Sequence, residues 1–157
     1  MNDIKTESLW LMKGDCLERM KEIESGSVDL TVTSPPYDNL RTYNNSLDWG
    51  EHVWKPVLEE LFRVTKKGGV VVWVVGDATV NGSETGTSFR QALWAMDCGF
   101  KLHDTMIYEK NTSSFPASSK SNRYTQIFEY MFVFSKGKPK ANLIKDKENK
   151  WVGYTNW

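Results

Sequence analysis

Several things are scarce in this sequence, and each scarcity excludes something. Among 157 residues there are two cysteines, Cys16 and Cys98, and two histidines, His52 and His103. With no Cys-x-x-Cys pair they make neither a zinc site nor a disulfide framework. That usage fits a reduced, intracellular chain. No stretch approaches the ~20 apolar residues of a membrane span. The opening residues, MNDIKTESLW, include acidic side chains and no apolar signal-peptide core. These absences predict a cytoplasmic protein with no membrane partner and no metal. Internal repeats and low-complexity tracts are also missing. So is net charge, since 20 Lys/Arg balance 20 Asp/Glu.

What is present suits one domain with a real core: 39% apolar residues, including seven tryptophans. The charge is unevenly spread. Residues 1–100 hold 10 Lys/Arg and 15 Asp/Glu, whereas residues 101–157 hold 10 and 5. A basic C-terminal half suits a polyanionic partner, although a solvated surface explains the same charges.

The pattern predicts alternating strands and helices. Leu9 to Lys13 reads as a short strand ended by Gly14-Asp15, and Asp15 can cap a helix over residues 16–23 with Leu17, Met20 and Ile23 on one face. Val28 to Thr33 is the next strand. Asp38 to Ser46 is polar and turn-rich. The stretch from Leu47 to Lys67 contains an amphipathic helix with an apolar stripe of Val53, Val57, Leu58, Leu61 and Phe62. Lys66-Lys67-Gly68-Gly69 reads as its stop. Val70 to Val75 lacks alternation, as expected of a strand covered on both faces. A polar loop from Gly76 to Gly86 leads to a helix from Thr87 to Cys98. Phe100 to Lys110 and Gln126 to Lys136 read as antiparallel strands joined by a basic loop. The order implies an α/β fold built on a mostly parallel sheet, with the antiparallel pair at the C-terminal end.

One junction asks for an explanation. In VDLTVTSPPY a strand runs into Ser34, Pro35, Pro36 and Tyr37. Proline cannot continue a ladder, and it presses the preceding residue towards extended geometry. The block therefore leaves the sheet as a stiff loop at the strand's carboxyl end, where open α/β sheets collect ligands. Gly14-Asp15 and Gly76-Asp77 fall at the same kind of position. The loop carrying Lys120, Arg123 and Tyr124 can join them.

TSPPYDNLRTY, with GDCLERM and SVDLTV before it, closely resembles the amino-methylating DNA methyltransferases. The likeness continues through ELFRVTKKGGVVVWVVGD, FKLHDTMIYEKN and RYTQIFEYMFVFSKGKP, over roughly residues 9 to 150. It implies a Rossmann-like methyltransferase sheet, S-adenosylmethionine as cofactor, double-stranded DNA as substrate, and Ser34, Pro35, Pro36 and Tyr37 as the catalytic block. An exocyclic amine is a poor nucleophile buried in the duplex, so its base must be flipped out. The Pro35 carbonyl and the Ser34 hydroxyl offer acceptors for the amine, and two prolines hold them with little freedom. The Tyr37 ring can stack on the base. No cysteine nucleophile is needed; both cysteines read as structural.

The resemblance also places Gly14 and Asp15 at the adenine or ribose edge of the cofactor. Asp15 as a plain helix cap explains the turn equally well. Arg41, Lys120, Arg123 and Lys136 are candidates for phosphate contacts. The family's Phe-x-Gly-x-Gly turn for the methionine end of the cofactor does not occur, and the target-recognition segment is missing too. Residues 1–157 are therefore expected to be a partial catalytic domain, associating with itself or with the remainder of the enzyme. Ser in first place, where adenine-specific relatives more often carry Asp or Asn, favours N4 of cytosine. Alternatives are N6 of adenine, another acceptor amine in protein or RNA, or an inactive remnant that only binds DNA or a partner.

Overall fold

The computed structural model describes residues 3–38, 49–111 and 122–140. Its elements are β1 (Ile4–Lys5), β2 (Trp10–Leu11), α1 (Cys16–Met20), β3 (Val28–Thr33), α2 (Glu51–Val64), β4 (Thr65–Val75), β5 (Thr79–Val80), β6 (Ser83–Glu84), α3 (Thr87–Asp97), β7 (Lys101–Glu109) and β8 (Phe128–Ser135). The main sheet has the order β3-β4-β8-β7. β3 and β4 run parallel, while β4–β8 and β8–β7 are antiparallel. The α/β class and the C-terminal antiparallel pair are as expected, and the sheet is mixed, with one parallel ladder of three.

One face of this sheet carries the core. Val71, Trp73 and Val75 of β4 stand beside Phe134, Phe132 and Tyr130 of β8. Trp54, Val57, Leu58 and Leu61 of α2, Met20 of α1, and Ala92 and Ala95 of α3 pack with them. Phe62, Phe100 and Phe134 extend the same core, with an edge-to-face contact at 5.0 Å between Phe62 and Phe100. The opposite face is also apolar. Register puts Leu30 and Val32 beside Val70 and Val72, and Met106 beside Met131. There Leu30, Val32, Met106 and Tyr108 are exposed.

Four expectations need correction. β4 does alternate, because only the Val71, Trp73, Val75 side is fully buried while Val70, Val72 and Val74 are half-covered. The buried stripe of α2 is Trp54, Val57, Leu58, Leu61 and Val64, rotated from the expected one; Val53 and Phe62 sit at its border. The helix ends at a Thr65 cap, so Lys66 to Gly69 lie in β4, which slips register there: Val28 faces Thr65 but Leu30 faces Val70. The strand expected over Leu9 to Lys13 shrinks to two residues paired with β1, outside the main sheet.

Candidate active site

Parallel pairing brings the ends of β3 and β4 to one edge of the sheet. The antiparallel neighbours put the end of β7 and the start of β8 at that same edge, where Glu109 faces Phe128. Ser34 to Tyr37, Gly76 to Gly86, Lys110 and Glu129 therefore cluster there.

The loop after β3 is held by side-chain hydrogen bonds. Ser34 Oγ lies 2.8 Å from Tyr37 Oη, and Tyr37 donates to Glu129 Oε2 at 2.7 Å. The other Glu129 oxygen is 2.5 Å from Lys110 Nζ. The Tyr37 ring lies against Gly76, where an added Cβ would sit 3.3 Å from its Cδ2. Asp38 closes the loop in a left-handed conformation at φ 46°. Its Oδ2 accepts from Ala78 N at 3.2 Å and Thr85 Oγ1 at 2.6 Å. Asp77 accepts from Ser88 N at 2.9 Å and from Ser88 Oγ at 2.5 Å, which caps α3 from outside because its N-cap, Gly86, has no side chain. Between them β5 and β6 form a small hairpin around Asn81-Gly82, both at positive φ, the geometry such two-residue turns require.

Behind Ser34 is a cavity of about 470 Å³, within the usual range of ligand sites. Ser34, Pro35, Pro36, Thr31, Thr33, Cys16 and Trp49 contribute to its wall. Asp15 directly precedes Cys16, so the Gly14-Asp15 turn borders the same region. Asp15 Oδ1 caps α1 through Leu17 N at 2.9 Å and Glu18 N at 3.4 Å. Capping uses one oxygen and leaves Oδ2 for a ligand donor, so both readings of Asp15 are compatible.

These residues fit S-adenosylmethionine in part. Trp49 Nε1 is a buried donor without a hydrogen-bond partner in the cavity wall, and a buried donor costs free energy until an acceptor arrives. Asp15 supplies the complementary acceptor. Among the described residues no glycine-rich turn stands ready for the methionine end.

The proposed phosphate contacts divide. Arg123 lies at the site edge of the sheet and donates to the Gly82 carbonyl of the hairpin. Lys136 is at the opposite edge, past the end of β8. Its Nζ donates to the Phe62 carbonyl at 2.6 Å, at the C-terminus of α2, and sits 4.5 Å from the Phe62 ring centre. The structure does not bring it to the site. Arg41 and Lys120 lie outside the described residues. Neither thiol is activated: burial pushes Cys16 up, with Asp15 adding to it, and burial pushes Cys98 up, helped by Glu59 and Asp97. Sequence reasoning passed over Asp38, Lys110 and Glu129. For Glu129 a signal existed: it is a lone carboxylate between Phe128 and Tyr130 in an apolar strand.

Comparison with known proteins bears on this geometry. The DNA methylase family profile matches residues 28–155. The orphan methyltransferase M.BamHII of Bacillus amyloliquefaciens is 63% identical over 135 residues, covering 84% of this chain and 48% of that protein. A putative DNA modification methylase from Thermus thermophilus, complexed with S-adenosyl-L-methionine, superposes with a TM-score of 0.61 at 27% identity, covering 84% of this chain and 57% of the other. The PvuII cytosine-N4-specific DNA methyltransferase shares the fold at a TM-score of 0.68 and 23% identity, over 83% of this chain and 50% of the other. The chain thus spans about half the length of these relatives.

Proposed function

The chain belongs to the DNA methylase family, and from that premise we propose that it forms the amine-binding part of an enzyme that methylates N4 of a flipped cytosine in double-stranded DNA. The observation that carries this reading is the Ser34-Pro35-Pro36-Tyr37 loop at the carboxyl end of β3, beside the cavity. S-adenosylmethionine supplies an electrophilic methyl group when bound. The protein's task is to orient the amine and to stabilise the positive charge that grows on its nitrogen.

The chain's own groups suit that task. The Pro35 carbonyl and Ser34 Oγ are neutral acceptors on a stiff loop, held before the base arrives. The hydrogen-bonded Tyr37, packed on Gly76, offers an aromatic surface near them for stacking. Arg123, at the same edge, is suited to a phosphate contact that positions DNA without reading its sequence. Gly14 and Asp15 take the adenosine end of the cofactor, and Trp49 supplies a donor. Arg41 and Lys120 remain phosphate candidates by sequence alone. Lys136 leaves that set.

Serine in first place supports cytosine. Adenine N6 is the alternative, and a remnant that binds DNA or a partner without turnover is the second. The test is to incubate the enzyme of which this chain forms part with DNA and S-adenosylmethionine and to analyse the nucleosides by mass spectrometry. N4-methylcytosine is expected. N6-methyladenine as sole product refutes the cytosine assignment alone. No methylated base, with DNA still bound, favours the remnant.

A further inference from the structure

Tyr37 has one hydroxyl proton, and among the described residues its oxygen meets two others, Ser34 Oγ at 2.8 Å and Glu129 Oε2 at 2.7 Å. Glu129 is paired with the ammonium of Lys110 at 2.5 Å, and its side chain is only 15% exposed. An ionised carboxylate accepts hydrogen bonds and donates none. The Tyr37 proton therefore belongs to the Glu129 bond. Its oxygen is left to accept, and the proton it accepts is that of Ser34. A hydroxyl rotor ordinarily turns to suit its neighbours; here the direction is imposed from two bonds away.

We propose that Glu129 is a positioning residue that sets the polarity of this chain, so that Ser34 presents only lone pairs to the substrate amine. The inference rests on the amine-methylating reading of Ser34. It holds for cytosine and adenine alike, since both present N–H groups. As the bond from nitrogen to the incoming methyl forms, the amine becomes cationic. A hydroxyl proton turned towards it would oppose that charge, whereas a lone pair stabilises it. The negative charge on Glu129 polarises both hydrogen bonds in series. Because the arrangement exists before the base enters, no reorganisation is needed at the moment of reaction. Lys110 holds the carboxylate from its far side, and Gly76 backs the Tyr37 ring.

Glu129→Gln preserves size but has an amide that can donate to Tyr37. Tyr37 can then donate to Ser34, and Ser34 to the substrate. In protein labelled with carbon-13 at tyrosine Cζ, with the Tyr37 signal identified by its loss in Tyr37→Phe, the wild-type signal should differ from a free phenol. It should move towards the free-phenol position in Glu129→Gln. An unmoved signal in a folded variant overturns the proposal. In the methylation assay Glu129→Gln should lower kcat by about tenfold with KM for DNA little changed, as expected when an interaction of the transition state is lost. Full turnover in Glu129→Gln would show that packing alone matters, and overturn it too. Tyr37→Phe keeps the ring and the Glu129–Lys110 pair and removes only the linking oxygen. It should lose as much turnover, and wild-type turnover in it counts equally against the proposal. If the wild-type enzyme of which this chain forms part does not methylate DNA, the functional reading fails, while the Cζ signal still decides the polarity of the network.

Discussion

Asp38 is where the Ser-Pro-Pro-Tyr loop is fastened to the loop after β4, and its replacement separates two physical contributions. The carboxylate accepts two hydrogen bonds, from Ala78 N at 3.2 Å and Thr85 Oγ1 at 2.6 Å. The backbone stands at φ 46°, where Ala is disfavoured and Gly is not. A bond to a charged acceptor contributes about 1.5–3 kcal/mol. Thr85 keeps a weaker alternative in Asp77 Oδ1 at 3.3 Å, so the lower end applies. Asp38→Gly should therefore destabilise by about 2 kcal/mol, nearly all of it lost hydrogen bonding. Asp38→Ala adds roughly 1 kcal/mol for the left-handed backbone. Asp38→Asn retains an acceptor and a tolerated conformation, so it should be the mildest of the three. Urea unfolding of the four proteins measures the series. If Gly is as damaging as Ala, backbone strain contributes nothing at this position. If none differs from wild type, the loop is not fastened here.

Arg63 clamps α1 to α2, donating to the Met20 carbonyl at 2.7 Å, the Ile23 carbonyl at 3.0 Å and Glu60 at 2.8 Å. Arg63→Ala should cost about 2 kcal/mol in urea unfolding. The Arg63 hydrogen bond holds the Glu60 carboxyl below its usual range, so the stability it adds is present at neutral pH and lost as acid protonates it. The deficit of Arg63→Ala should narrow as the pH falls below the usual carboxylate range. Gly99 sits at φ 110°, and a Cβ there would meet Phe62 Cζ at 2.8 Å; Gly99→Ala should lower the thermal midpoint and loosen the Phe62–Phe100 contact, seen by aromatic circular dichroism. Because both thiol pKa values are raised, less thiolate is present at pH 8, and iodoacetamide should modify the native chain more slowly than free cysteine. We also expect the exposed apolar sheet face to drive self-association, and a monomer at all concentrations in sedimentation would refute this.

Most of the main sheet was legible because each of its strands carries its own signal. Val28 to Thr33 is bounded by a Gly-containing turn and by prolines, so both of its ends were readable. The antiparallel pair followed from two strands with no helix between them. Leu9 to Lys13 has the same local pattern, but pairing is a long-range event that the pattern does not encode. The α2 stripe was misplaced because Trp54 and Val64 are also apolar, and tertiary contacts chose among the apolar positions. Lys66 to Gly69 carry strong stop chemistry, and the helix does stop just before them. Whether such residues then form a loop or an irregular strand start depends on β3 alongside. The site loop was legible from two prolines; its fastenings were not. Tyr37 and Glu129 are 92 positions apart, and Asp38 and Thr85 are 47 apart. Distances of that kind are set by topology.

A pattern emerges from three of the carboxylates at this end of the sheet. Asp38 closes one loop on another, Asp77 caps α3, and Glu129 orients Tyr37. Each is engaged with the protein itself, while the groups proposed to face a base, at Ser34 and Pro35, are neutral acceptors. The physical reason lies in desolvation. Pressing a neutral base against an unpaired carboxylate strips water from a charge, which is costly unless the charge is fully satisfied. Placing the carboxylate two hydrogen bonds further back, already paired with Lys110, keeps that cost within the folded protein. The base then meets acceptors that are already directed. In the proposed reaction the negative charge still acts on the nitrogen through the Tyr37–Ser34 bonds as its positive charge develops.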